Sequence, residues 1–141
     1  MDKSNPPTTF GVFKPVGHTV MAFPTEDKLQ SAQTALGAMG FAPSSMVRYS
    51  PAEMEAQVAA ELQDASPFAS FGYEIDLIRQ HKILAEQGCS FLVVEAATDE
   101  LADQVADVVR DTQPTAAQHY GLFMIQNLTE KPAGCMPNAA S

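Results

Sequence analysis

Cationic residues are scarce in this chain: eight lysines and arginines stand against seventeen aspartates and glutamates, a formal net charge of −9. A surface of that sign repels phosphate backbones and anionic headgroups, and no basic stripe reverses the field locally. Nucleic acid and membrane surfaces are therefore not expected partners. Long apolar runs are missing as well. The stretch from Phe91 to Val94 is far shorter than the roughly 20 residues needed to cross a bilayer, so no membrane span is predicted. Met1 to Thr9 is polar and proline-bearing, without the charged flank and apolar stretch of an export signal, and a cytoplasmic location is expected.

Cysteine occurs only twice, with Cys89 opening an apolar run and Cys135 in a polar tail. Two unclustered thiols, with no CxxC pair, read as free in a reducing compartment. The chain also lacks a nucleophile elbow, a P-loop, a GxGxxG turn and an HExxH helix, which weighs against an enzyme. What it does have is material for a core. Hydrophobic residues make up 45% of 141 positions and charged residues 18%, which excludes a disordered chain and suits one domain.

Turn signals and periodicity divide the chain into segments. Residues 1–10 read as a flexible leader, 11–128 as a single α+β domain, and 129–141, with its KPAGCMPNAAS run, as a flexible tail. His18 to Phe23, bounded by Gly17 and Pro24, predicts a first strand. Thr25 caps a helix with Glu26 and Asp27 in its first turn, Leu29, Ala32, Leu36 and Met39 at helical spacing, and Gly40 as its stop. Ser45 to Tyr49 reads as a second strand. Ser50, Pro51 and Glu53 form a capping box for a helix that carries Met54, Val58 and Leu62.

Ser66 and Pro67 repeat that device ahead of a longer helix marked by Phe68, Phe71, Ile75, Ile78 and Ala85 and ended by Gly88. Ser90 to Glu95, apolar on both faces, reads as a central strand. Thr98 caps a helix with Leu101, Val105, Val108 and Val109, and Gln118 to Gln126 gives a last strand after Pro114.

The segments Thr25–Tyr49 and Thr98–Tyr120 carry the same signals in the same order. Each has a threonine cap, two acids, a leucine and a proline loop, and then a basic or imidazole side chain beside a tyrosine: Arg48-Tyr49 in one, His119-Tyr120 in the other. Each copy reads as strand, helix, strand. Two such βαβ repeats in series predict an α+β, ferredoxin-like four-stranded sheet with both of their helices on one face, and with strands one and three parallel at its centre. Between the copies lies a two-helix insertion, residues 50–88, where function or assembly is expected to be added.

The stretches GVFKPVGHTVMAFPT, GFAPSSMVRYS, SFLVVEA and QHYGLFMIQNL resemble small proteobacterial proteins that are in turn similar to the heat-induced general stress protein domain. The resemblance covers about Phe10 to Leu128. It implies a bacterial, stress-associated protein and brings no catalytic residues with it, and the inserted helix pair departs from the shorter stress domain.

Several residue sets are candidates for chemistry. Glu74 and His81 share a helical face beside Tyr73, an arrangement suited to acid-base work on a small molecule. Arg48 with Tyr49 and His119 with Tyr120, equivalent in the repeat and placed on outer strands, read as two ligand-binding half-sites, Arg48 for an anion and His119 for a charge switch near neutral pH. His18 and Cys89, at the starts of adjacent parallel strands, would meet His81 in a thiolate–imidazole metal set, although no metal is expected from sequence spacing. Phe68, Phe71, Ile75 and Ile78 mark an apolar insertion face that must be buried on the open sheet face or on a second copy, and a homodimer is expected. Met21, Met39, Met46, Met54 and Met124 read as core filler. No cofactor is implied. The sum is a non-catalytic regulatory or stress-associated protein acting through self-association and a protein partner or small ligand. The alternatives are a small-molecule enzyme with its site between sheet and inserted helices, and a metal- or cofactor-binding protein.

Overall fold

The computed structural model describes residues 8–9, 12–13, 17–64, 73–120 and 125–129. Two short strands, β1 (Thr8–Thr9) and β2 (Val12–Phe13), pair antiparallel at the start of the chain. Next come β3 (His18–Phe23), α1 (Glu26–Ala38), a 3-10 turn over Pro43–Ser45, β4 (Met46–Tyr49), α2 (Pro51–Asp64) and α3 (Tyr73–Glu86). They are followed by β5 (Ser90–Glu95), α4 (Asp99–Thr112), β6 (Ala116–Tyr120) and β7 (Ile125–Asn127). The protein is α+β, with four helices and a five-stranded antiparallel sheet in the order β4-β5-β3-β6-β7 among the described residues.

The helix ends follow local chemistry. Thr25 Oγ1 accepts from Lys28 N–H and Thr98 Oγ1 from Leu101 N–H, each at 3.2 Å. At α2, Ser50 N–H donates to Glu53 Oε1 (3.0 Å) while Glu53 N–H donates to Ser50 Oγ (3.1 Å), the reciprocal capping box. Gly88, at φ +95°, closes α3 in the left-handed conformation that glycine adopts without penalty.

The sheet corrects two expectations. First, the central pair β3–β5 runs antiparallel, with His18 opposite Glu95 and Phe23 opposite Ser90. The two strands of each unit do run parallel to each other, but a strand of the other unit lies between them, so along β4-β5-β3-β6 every neighbour comes from the opposite unit and points the other way. Second, the predicted last strand splits into β6 and β7, which pair through Gln118 with Asn127 and Tyr120 with Ile125, and a fifth strand joins the sheet. The helices of the two units, α1 and α4, lie on one face as expected, and α2 and α3 lie on the other, one of the two places expected for the insertion.

Strand alternation explains that distribution. Met21, Phe23, Leu92, Val94 and Ala117 point to one side and meet Leu29, Ala32 and Leu36 of α1 and Val105, Val108 and Val109 of α4. Val20, Ala22, Val47, Tyr49, Phe91, Val93 and Tyr120 point to the other and meet Met54 and Val58 of α2 and Leu84 and Ala85 of α3. The insertion thus covers the second sheet face, giving two apolar cores either side of one sheet. A strand buried on both faces needs apolar residues at every position, and β5 has them from Phe91 to Val94, each at most 1% exposed.

Cys89 departs from its expected free-thiol state, because it is disulfide-bonded and no free cysteine is present among the described residues. Its side chain is fully buried against the α2–α3 layer, and the chain's other cysteine is Cys135, outside the described residues. Among the described residues no helix is long and apolar enough to cross a membrane.

Candidate functional site

The sheet edge at β4 brings polar groups together. Alternation sends Arg48 toward α1 and Tyr49 toward the α2–α3 layer, so the two adjacent residues serve opposite faces. Tyr49 is buried with Met54 and Val58. Arg48 is half-buried, and its Nη1 donates to Gln30 Oε1 at 2.8 Å and to Gln33 Oε1 at 3.4 Å, both on α1. These are neutral amide partners. No carboxylate within ion-pair distance of Arg48 occurs among the described residues, whereas Arg110 pairs with both Asp107 and Asp111.

Around this edge lies a cleft of about 270 Å³ lined by Glu26, Leu29, Arg48, Tyr49, Ser50, Glu53 and Ser90. The starts of α1, α2 and β5 and the end of β4 converge on it. Sequence reasoning found Arg48 and Tyr49 but took Glu26 for a dipole partner and Glu53 for a capping residue. Both readings describe real local roles and conceal that the two carboxylates share a cavity with the guanidinium. The glutamines that hold Arg48 carry no motif, and only the packing of α1 against the sheet reveals them.

His119 and Tyr120 do not join this site. β6 is flanked by β7, so it is not an outer strand. Arg48 pairs with Leu92, Leu92 with Met21 and Met21 with Ala117, which sets Arg48 and β6 three strand spacings apart, roughly 14 Å. His119 lies two residues further along. Its Nδ1 is 2.9 Å from Oγ1 of Thr19, itself fully buried, and partial burial lowers its pKa, opposed by the nearby Asp99 carboxylate and reinforced by His18. Tyr120 is buried, packed on the α2–α3 side of the sheet.

His81 is buried in the layer between α3 and the sheet, 1% exposed. Gln118 Nε2 donates to Gln80 Oε1 (3.5 Å), which turns the Gln118 carbonyl oxygen toward His81 Nε2 at 3.4 Å. With the Gln118 oxygen as acceptor, Nε2 is the donor of this pair, and Nδ1 is buried with no hydrogen-bond partner among the described residues. Desolvation pushes the His81 pKa down to about 4, the Gln118 contact opposing it in part, so the ring is neutral at physiological pH. Tyr73 and Glu74 lie in the first turn of α3, and their side chains are outside the described set, as are those of Ile75 and Ile78. Phe68 and Phe71 fall outside the described residues altogether.

The His18–His81–Cys89 metal set is not assembled. His18 sits opposite Glu95, at the far end of β5 from Cys89, because the central strands are antiparallel, and Cys89 is committed to a disulfide. Among the described residues no group of three or more potential ligands comes together. A second cleft of about 260 Å³ opens at that far end, lined mainly by Met39, Phe41, Ala42, Ala97 and Leu101. The sequence does not signal it, since its walls come from the segment after α1, the end of β5 and the start of α4.

No protein-family model matches the chain, and neither a curated protein nor a solved structure is significantly similar to it.

Proposed function

We propose that the protein is a non-catalytic regulatory module that binds a small polar ligand in the β4 cleft and works through self-association. The observation that carries this reading is Arg48: a half-buried guanidinium lining a cleft, positioned by two neutral glutamines and without a carboxylate partner among the described residues. A buried or half-buried cation is normally matched by an anion. Its direct partners are neutral amides while Glu26 and Glu53 line the cleft without pairing with it, so a bound ligand is the natural direct ionic partner of the guanidinium. The histidine suited to acid-base catalysis counts against the enzyme alternative, because His81 is sealed between α3 and the sheet.

The ferredoxin-like description is part of the proposal. The run β4-β5-β3-β6, antiparallel throughout with α1 and α4 on one face, supports it, with β7 and the α2–α3 pair as additions. Stress association, bacterial origin and a cytoplasmic location are carried by the resemblance and the composition alone. Disulfides persist in oxidising compartments, so the bond at Cys89 weighs against the cytoplasm.

Native mass spectrometry of freshly purified protein tests the reading. A dimer, with retained small-molecule mass that Arg48→Gln abolishes, is the expected result. A monomer with no adduct, whose mass and thermal stability no small-molecule library alters, would overturn it.

A further inference from the structure

We infer that the β4 cleft takes a zwitterion of the α-amino-acid class, its carboxylate on Arg48 and its ammonium beside Glu26. This rests on the reading of the cleft as a ligand site and names the ligand's chemistry. A guanidinium has five N–H donors in a rigid fork. The Nη1 contacts to Gln30 and Gln33 fix the plane of that fork from the α1 side. Nε and Nη2 make no hydrogen bond or ion pair among the described residues, and a parallel pair of donors is what a carboxylate accepts bidentately.

The other walls decide against a simple anion. Glu26 lines the same cavity as Arg48, so inorganic phosphate or acetate held on the guanidinium would meet a carboxylate beside it. A ligand that brings its own cation a few ångströms from its carboxylate converts that repulsion into attraction. The starts of α1 and α2 are not the source of recognition, since Thr25 Oγ1 and Ser50 Oγ already accept the N–H groups of Lys28 and Glu53. Leu29 and Tyr49, both buried, give the cleft an apolar floor for a short side chain, and about 270 Å³ suits a molecule of that size.

The test is isothermal titration of the full chain. The twenty common amino acids are screened first by thermal shift, and the strongest is then compared with its N-acetyl form, its methyl ester and sodium acetate. Binding of the free amino acid, weakened about tenfold or more by either blocking group and to a similar degree by Arg48→Gln, is expected. Glu26→Gln should weaken the amino acid while leaving acetate no weaker, a split that mere loss of structure does not produce. Acetate or the N-acetyl form binding as well as the free amino acid would overturn the zwitterion while leaving a small-anion site. No binding by any of these probes would overturn both the zwitterion and the β4 cleft as a small-ligand site.

Discussion

The His81 imidazole stands edge-on to the Phe91 ring, with centroids 5.6 Å apart and planes inclined at 69°. This contact joins α3 to strand β5, and it is made by a ring that must stay uncharged. The folded pKa lies near 4 against an ordinary 6.5, so the unfolded chain takes up a proton that the folded chain refuses as pH falls between those values. Stability from this group is complete above about pH 6.5 and is lost progressively down to about pH 4, a change of about 3 kcal/mol. Urea unfolding followed across that range should show the loss. His81→Gln, which stays neutral, should flatten the slope, and an unchanged slope would remove His81 as its cause.

The disulfide at Cys89 makes a second prediction. Intact mass under non-reducing conditions should be lower by two hydrogens than after reduction, and reduction should destabilise the protein by roughly 2–4 kcal/mol. Equal masses before and after reductant would show that the thiols are free. The same measurement on protein taken directly from cells reports the compartment, because a reducing cytosol does not maintain such bonds.

Met54 tests whether the inserted helices belong to the core. It is fully buried against the sheet, so Met54→Ala should cost about 2–5 kcal/mol, comparable to Leu36→Ala on the opposite face. A cost below about 1 kcal/mol would mean that α2 packs loosely and that the second core contributes little. Chemical denaturation of both variants decides between them.

Gly88 isolates a backbone effect. A Cβ added there meets nothing within 4 Å, so Gly88→Ala carries no steric clash, only the cost of holding alanine at φ +95°. The expected destabilisation is about 1 kcal/mol, visible as a lower thermal midpoint with an unchanged spectrum.

The parts of this fold that were legible in the sequence are those governed by neighbours along the chain. The threonine caps, the Ser50–Glu53 box and the doubly apolar β5 each depend on residues within one or two turns, and they fall where their chemistry places them. The crossing of the two units was not legible, because hydrophobic periodicity assigns a residue to a face and says nothing of which strand lies beside it. For the same reason His18 and Cys89, read as neighbours, lie at opposite ends of β5. Composition and local spacing by themselves determined an acidic, folded α+β chain with these helices and most of these strands. Tertiary structure alone decided that α2 and α3 close the second sheet face, that Cys89 is bonded, and that Glu26, Arg48 and Glu53 share one cleft. Those outcomes depend on contacts between residues far apart in the chain, and the energy that selects among them lies in packing and charge pairing across elements, not within any one of them.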